Sequence, residues 1–258
     1  QSDAVTLTFA LIVTKGDVSD TDDLNVVVAI PEPTVPVPPP VRLAVTLQDG
    51  TFIRISQPAE GSTDLLQQFA GSWGRAEIRK VDAVQYELSL AATQPLKHVW
   101  FPWFPAEYAC ERILYPHLLG LEIDNHRLSP GVWSHPDITV YPGPMVFPGA
   151  VMEHTNVALG VFATNWPPLQ VNVLYARGTV ALRYDEPIAA GQNRQYRAMV
   201  VDAAGDARAE PWHHAVEPYR DWLRMNMAAD GLLPIAYPEW LLSAHGWSNV
   251  QLEDYDDP

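Results

Sequence analysis

The chain has 258 residues, of which 47% are hydrophobic and 18% charged, and its formal net charge is −15. This hydrophobic content is enough for one large β domain or two smaller units, and it excludes a wholly disordered chain. The acidity excludes nucleic acid and anionic membrane as partners, because both would be repelled, and it favours a neutral partner.

Cys110 is the one cysteine, so neither an intrachain disulfide nor a cysteine-based metal site is expected. No apolar run of about 18 residues is present that could insert into a bilayer, and no secretory leader pattern is visible. The chain begins with Gln1 rather than Met. We expect that a leader has been removed or that this is a piece of a longer polypeptide.

Residues 1–30 contain two predicted strands joined by a polar turn over 15–23. Apolar residues alternate between Val5 and Val13, and a second apolar run covers 24–30. The two strands resemble the C-terminal hairpin of a PKD-like immunoglobulin-type repeat, which is an extracellular spacer. The carboxylates of the turn form either a calcium loop or a solvated acidic turn. They belong to Asp17, Asp20, Asp22 and Asp23.

Residues 31–40 have proline at six of ten positions. Such a segment cannot form a helix or an inner strand, and it predicts an extended polyproline linker at a domain boundary. A proline-rich ligand for a partner domain is the alternative interpretation.

Residues 41–208 are dominated by predicted strands with short turns and no intervening helical pattern. The turn signal Asp49-Gly50 lies between two of them and predicts a hairpin. So many strands without helices indicate an antiparallel sandwich rather than βαβ units. The predicted strands cover 41–47, 51–56, 75–80, 84–92, 96–101, 157–163, 171–175, 180–184 and 193–201.

A helix is predicted in the segment 209–237. Trp212, Val216, Tyr219 and Leu223 are spaced by four, three and four residues, which places them on one helix face with Trp222 beside them. We expect this face to pack against the sheet. Pro218 falls inside the pattern and should kink or restart the helix.

Three motifs occur in a recognisable order, namely YPGPMVF at 141–147, LGVFA at 159–163, and WHHA followed by YRDWL within 212–223. Together they resemble the galactose-mutarotase-like β-supersandwich that precedes a (β/α)8 barrel in secreted glycoside hydrolases, among them endo-α-N-acetylgalactosaminidase-like proteins. The resemblance implies a mainly β fold, with an antiparallel β-supersandwich over 41–208, a connecting helix and linker over 209–237, and an incomplete barrel start over 238–258.

The sequence shows no catalytic constellation. A complete barrel takes about 200 residues or more, and the resemblance would place the paired carboxyl groups of a glycosidase on strands outside this chain. The chain alone is therefore predicted to be inactive, with its catalytic residues unknown. The histidine spacing gives no metal site, and no cofactor is expected. A solvated loop or a ligand contact is predicted for Glu253, Asp254, Asp256 and Asp257.

Tryptophans in proline-rich loops are the candidate substrate-binding residues. The flat face of an indole stacks on the apolar face of a sugar ring, but tryptophans of this kind also pack loops onto a sandwich. The candidates are Trp100, Trp103, Trp133 and Trp166.

Two functions follow as hypotheses. The first is a non-catalytic β-sandwich portion of a large extracellular or cell-surface glycoside-hydrolase-like protein, which supports glycan binding and hydrolysis by a barrel outside this chain. Its partners would be a glycan and the remaining domains of the same polypeptide, with no nucleic acid and no membrane insertion. The second is a structural or adhesive cell-surface module with no enzymatic activity.

Overall fold

The computed structural model describes residues 4–15, 18–29, 38–105, 110–115, 121–124, 132–133, 140–141, 147–176, 179–206 and 210–232. Contacts divide the chain into two compact units, Gln1–Pro38 and Pro39–Pro258. Asp17, most of the predicted linker and the whole predicted barrel start at 238–258 lie outside the described residues.

The first unit contains an antiparallel hairpin of two strands, β1 (Ala4–Lys15) and β2 (Val18–Ala29). Lys15 pairs with Val18, so the predicted polar turn over 15–23 is wrong. Pairing with the long strand β1 gives this acidic segment cross-strand hydrogen bonds that a turn would not offer. Three of its acidic residues therefore lie within β2, namely Asp20, Asp22 and Asp23.

The second unit is mainly β, and its described residues form many short strands and one helix, in line with the sequence prediction. The strands between 41 and 124 are β3 (Arg42–Leu47), β4 (Phe52–Ile55), β5 (Leu66–Gly71), β6 (Gly74–Lys80), β7 (Gln85–Ala92), β8 (Leu96–Trp103), β9 (Arg112–Tyr115) and β10 (Leu121–Asp124). The later elements are β11 (Val132–Trp133), β12 (Val140–Tyr141), β13 (Gly149–His154), β14 (Val157–Ala163), β15 (Val171–Ala176), β16 (Thr179–Tyr184), β17 (Asn193–Ala204) and the helix α1 (Pro211–Ala229).

These strands form two antiparallel sheets. The eight-stranded sheet has the order β10-β9-β13-β14-β17-β7-β6-β5, and the seven-stranded sheet has the order β11-β15-β16-β8-β3-β4, with β12 also pairing with β15. Neighbours in the chain often pair directly, as β13 does with β14 and β15 with β16. The predicted antiparallel sandwich is therefore confirmed.

The main core lies between the two sheets. Inward residues alternate with outward ones along β7, where Leu88 and Leu90 face the core and Ser89 between them is exposed. Two tyrosine rings, from Tyr184 and Tyr196, meet in this core with their centroids 4.4 Å apart. Burial raises the pKa of both hydroxyl groups.

Helix α1 packs on the outer face of the eight-stranded sheet, against β13, β14 and β17. Ala215 and Tyr219 are buried against Phe162 and Met199, and Trp222 packs at the edge of the same cluster. The predicted packing face is therefore confirmed, including the packing of Trp212, Val216 and Leu223.

The helix is continuous through Pro218 and does not restart there, contrary to one of the predicted outcomes. Ala215, three residues before Pro218, and Tyr219, directly after it, are both buried in the cluster beneath the helix. Tertiary packing of an apolar face provides most of a helix's stability, so it compensates for the backbone donor that proline lacks.

Candidate functional site

Two of the predicted tryptophans, Trp100 and Trp103, lie on the outer face of the seven-stranded sheet. They are three residues apart, so strict alternation would place them on opposite faces. A register shift between β3 and β8 brings both to the same face, because Arg42 pairs with Trp103 while Ala44 pairs with Trp100. The extra residue on β8 is a β-bulge, which is the usual device for redirecting a side chain.

Phe52 from the edge strand β4 completes an aromatic cluster with these indoles. The Phe52 centroid lies 5.4 Å from each indole centroid, the two indoles are 5.9 Å apart, and all three contacts are edge to face. Trp100 and Trp103 are only 7% and 4% exposed, whereas Phe52 is 38% exposed. We call these three residues the aromatic patch. Phe52 is the ring of the patch that a ligand reaches first.

A group of polar side chains lies beside the aromatic patch on the same face. Asp185 accepts hydrogen bonds from Nε and Nη2 of Arg183, at 2.6 and 3.0 Å, and from the side-chain amide of Asn172. The Nδ1 atom of His98 lies 2.8 Å from Oδ1 of Asp185. We call His98, Asn172, Arg183 and Asp185 the polar network.

The polar network is connected to the aromatic patch through Arg183. Its guanidinium carbon lies 5.5 Å from the ring centroid of Trp100, which is within the range of a cation–π contact. The indole nitrogen of Trp100 donates to the hydroxyl of Thr46 at 3.1 Å. The indole nitrogen of Trp103 is buried and donates to none of the described residues.

The polar network predicts a pH dependence that is centred on His98. Burial lowers the pKa of this imidazole from its ordinary value of 6.5, and the neighbouring Asp185 only partly opposes the shift. As the pH falls below about 6.5, the His98 imidazole therefore takes up a proton in the unfolded chain before it does so in the folded protein. We expect the free energy of unfolding to fall as the pH drops below about 6.5.

An NMR titration of the His98 imidazole, together with urea unfolding across the same pH range, measures this effect. The variant His98→Gln carries no titrating group at this position, so its unfolding free energy should depend less on pH between 7 and the lowered pKa. A measured His98 pKa at or above 6.5 would contradict the prediction.

Trp166 lies away from the aromatic patch, near the C-terminal end of α1. Its indole nitrogen donates to the carboxylate of Asp230 at 2.6 Å, and its ring meets Trp222 edge to face at 6.0 Å. These contacts connect the loop after β14 to the end of the helix. Trp133 lies in β11, paired with Tyr175, and only its backbone is described.

No local pattern in the sequence indicates the polar network. His98 and Asp185 are far apart in the chain, and only the pairing of β8 with β16, in which Trp100 lies opposite Arg183, brings them together. The available signal was the position of two residues, since His98 lies two residues before Trp100 and Asp185 lies two residues after Arg183. It becomes informative only when the strand pairing is known.

Within the residues that the structure describes, no three histidine, cysteine, aspartate or glutamate side chains converge as a metal site. None of the helices in that part of the chain is long and apolar enough to cross a membrane.

No protein-family model matches the chain, and no curated protein matches it either. The resemblance to glycoside-hydrolase sandwiches therefore stays a prediction.

Proposed function

We propose that this chain is the non-catalytic sandwich portion of an extracellular glycoside-hydrolase-like protein and that it contacts carbohydrate at the aromatic patch. The observed order of a β-sandwich and then a docked helix agrees with the architecture that the three sequence motifs suggested. The barrel that would perform hydrolysis, and the secreted location, belong to this proposal.

One observation carries the carbohydrate contact, and it is the indole nitrogen of Trp103. This donor is buried without an acceptor among the described residues, although Phe52 beside it is exposed. Leaving a buried donor unpaired costs about 1–3 kcal/mol, so an acceptor that reached this nitrogen would stabilise the protein by a similar amount. A sugar hydroxyl next to Phe52 is an acceptor of the right kind.

The remaining groups of this face fit the same ligand. The ring of Phe52 offers an apolar surface to the C–H face of a pyranose. Arg183 and His98 add polar groups at the border of the patch, and both are already oriented by Asp185. Fixed polar groups around a small apolar surface are what recognition of a sugar requires.

Replacing Phe52 by alanine tests this proposal. We expect affinity for the glycan that binds best on an array to fall about 5-fold, because an aromatic contact contributes about 1 kcal/mol. Isothermal titration calorimetry of the full chain measures the change.

The matched control is Leu66→Ala. Leu66 is 36% exposed on β5, which is the edge strand of the other sheet, so its truncation removes a similar apolar surface away from the patch. Equal losses in both variants, or unchanged binding by Phe52→Ala, would show that the patch does not contact the glycan.

The division into two compact units favours a second candidate, a structural or adhesive surface module. A hairpin unit followed by a sandwich is also how spacer domains are arranged along a chain. Reading the parent gene on both sides of this segment separates the two. A continuing β/α pattern with two strand-end carboxylates favours the hydrolase, and further β modules favour the scaffold.

A further inference from the structure

The outer face of the eight-stranded sheet has a polar half that α1 does not cover. Down β17, the outward residues change from Asn193, Gln195 and Arg197 to the apolar Met199 and Val201. The helix packs on the apolar half. The polar half remains exposed on β5, β6, β7 and the beginning of β17.

This polar half forms a groove of about 640 Å3, which is within the size range of small-molecule sites. The side chains of Ala70 and Ala91, next to Arg75 in the pairing register, are small and leave room beside it. Ala59, from the loop before β5, lines one side. We call it the polar groove. Its other outward residues are Gln68, Glu77, Ser89, Asn193 and Gln195.

Of the three charged residues that line the polar groove, two have an ion-pair partner. Glu77 lies 3.2 Å from Arg79, and Arg194 lies 2.9 Å from Glu186. Arg75 has no ion pair and no side-chain hydrogen bond with any described residue, and its side chain is exposed. On a chain with a net charge of −15, this guanidinium gives the groove a local positive centre.

The main chain around the groove leaves little room for a peptide to add as a strand. The edge strand β5 is covered by the preceding loop, because Ala59 N–H donates to the Gln68 carbonyl at 2.7 Å and Thr63 N–H to the Leu66 carbonyl at 2.8 Å. The Gln68 N–H donates to the hydroxyl of Ser62. These bonds occupy the edge groups that a peptide strand would need.

We propose that the polar groove binds an oligosaccharide that carries a carboxylate, such as a uronic acid chain. The planar fork of Arg75 holds the carboxylate with two hydrogen bonds. The amides of Gln68, Asn193 and Gln195 both donate and accept, which matches the hydroxyl groups of the neighbouring sugar units. The aromatic patch lies on the other sheet, so this site is independent of the one proposed above.

Calorimetry of the full chain with trigalacturonate, and with the same trisaccharide after reduction of its carboxylates to alcohols, tests the proposal. We expect the carboxylate form to bind at least about 10-fold more tightly, because a charged hydrogen-bonded pair distinguishes it from the neutral form.

Two variants locate the site. Arg75→Gln should lower affinity for trigalacturonate about 10-fold and remove the preference over the neutral form. Ala91→Leu keeps the charge but fills the groove, so it should weaken binding of both trisaccharides. Arg224→Gln is the matched control, since it removes the same charge from an exposed position of α1 that does not line the groove. Thermal melts establish that each variant is folded.

Four results would overturn the proposal. They are equal affinity for the two trisaccharides, equal effects of Arg75→Gln and Arg224→Gln, tighter binding of a triglutamate peptide than of trigalacturonate, and no binding of any of these probes. The Phe52→Ala variant should bind trigalacturonate as the unmodified chain does, so a failure at the aromatic patch stays separate from a failure at the polar groove.

Discussion

Replacing Tyr219 by alanine is expected to lower the free energy of unfolding by about 4 kcal/mol, which is typical for removing a buried aromatic side chain. Tyr219 is 4% exposed and lies at the centre of the contact between α1 and the eight-stranded sheet. Urea unfolding followed by far-UV circular dichroism and by tryptophan fluorescence measures the effect.

The size of this effect comes from how many rings meet at Tyr219. Its ring stacks on Phe162 at 4.9 Å, and its centroid lies 5.4 Å from Phe147 and 5.5 Å from Trp222. The backbones of α1 and β14 also lie close together beside this ring, since a Cβ atom added at Gly160 would lie 3.0 Å from the carbonyl oxygen of Ala215. A helix fitted this closely cannot move in to fill the space left by the lost ring.

Met225→Ala on the same helix is the control. Met225 is 65% exposed, so its truncation should change the free energy of unfolding by less than about 0.5 kcal/mol. If Tyr219→Ala were as mild as the control, the helix would be a loosely attached segment rather than part of the sandwich.

The periodicity of the helix explains why this docking could be predicted from the sequence. The four-three-four spacing of Trp212, Val216, Tyr219 and Leu223 already describes a single buried face, and it needs no knowledge of the partner. The surface on which this helix face packs could not be predicted in the same way. The choice of the eight-stranded sheet depends on outward apolar residues such as Phe162 and Met199, which read as ordinary strand residues in the sequence.

Strands were found where apolar alternation is strong and missed where it is weak. The segments that became β7 and β14 alternate or are continuously apolar, and both were predicted. Strand β5 was missed because its sequence, LQQFAG, buries only Phe69. It forms because it is paired along one side with β6, and that pairing depends on residues elsewhere in the chain.

The candidate site was predicted only in part, for the same reason. Tryptophan and proline density pointed to Trp100 and Trp103, which do lie side by side. Phe52, which contacts both indoles, was covered only by the predicted strand 51–56. The bulge that brings both indoles to one face has no local sequence signal. The polar network and the polar groove likewise arise from strand pairing, which brings distant residues into one row.

The second large effect is expected at Asp185. Replacing it by alanine removes the acceptor for Arg183 and Asn172 together, and leaves a partly buried guanidinium without its counter-charge. We expect the free energy of unfolding to fall by about 3 kcal/mol, since breaking a partly buried ion pair leaves one charge uncompensated. Thermal and urea unfolding measure the loss.

A double replacement separates the net contribution of the Arg183–Asp185 ion pair to stability from the cost of leaving one of its charges unpaired. Arg183→Met combined with Asp185→Leu removes both charges and keeps the apolar volume beside Trp100, so it should recover at least about half of the loss seen with Asp185→Ala. The amide of Asn172 still lacks its acceptor in this variant, which is why recovery should be incomplete.

The chain contains a matched control for this experiment in the ion pair of Glu77 and Arg79. Like Asp185 and Arg183, these residues are two positions apart, but Arg79 is exposed and no side-chain amide among the described residues donates to Glu77. Glu77→Ala should cost at most about 1 kcal/mol because exposed pairs are screened by solvent. Equal losses for Glu77→Ala and Asp185→Ala would mean that the polar network is held in place by the sheet and contributes nothing of its own.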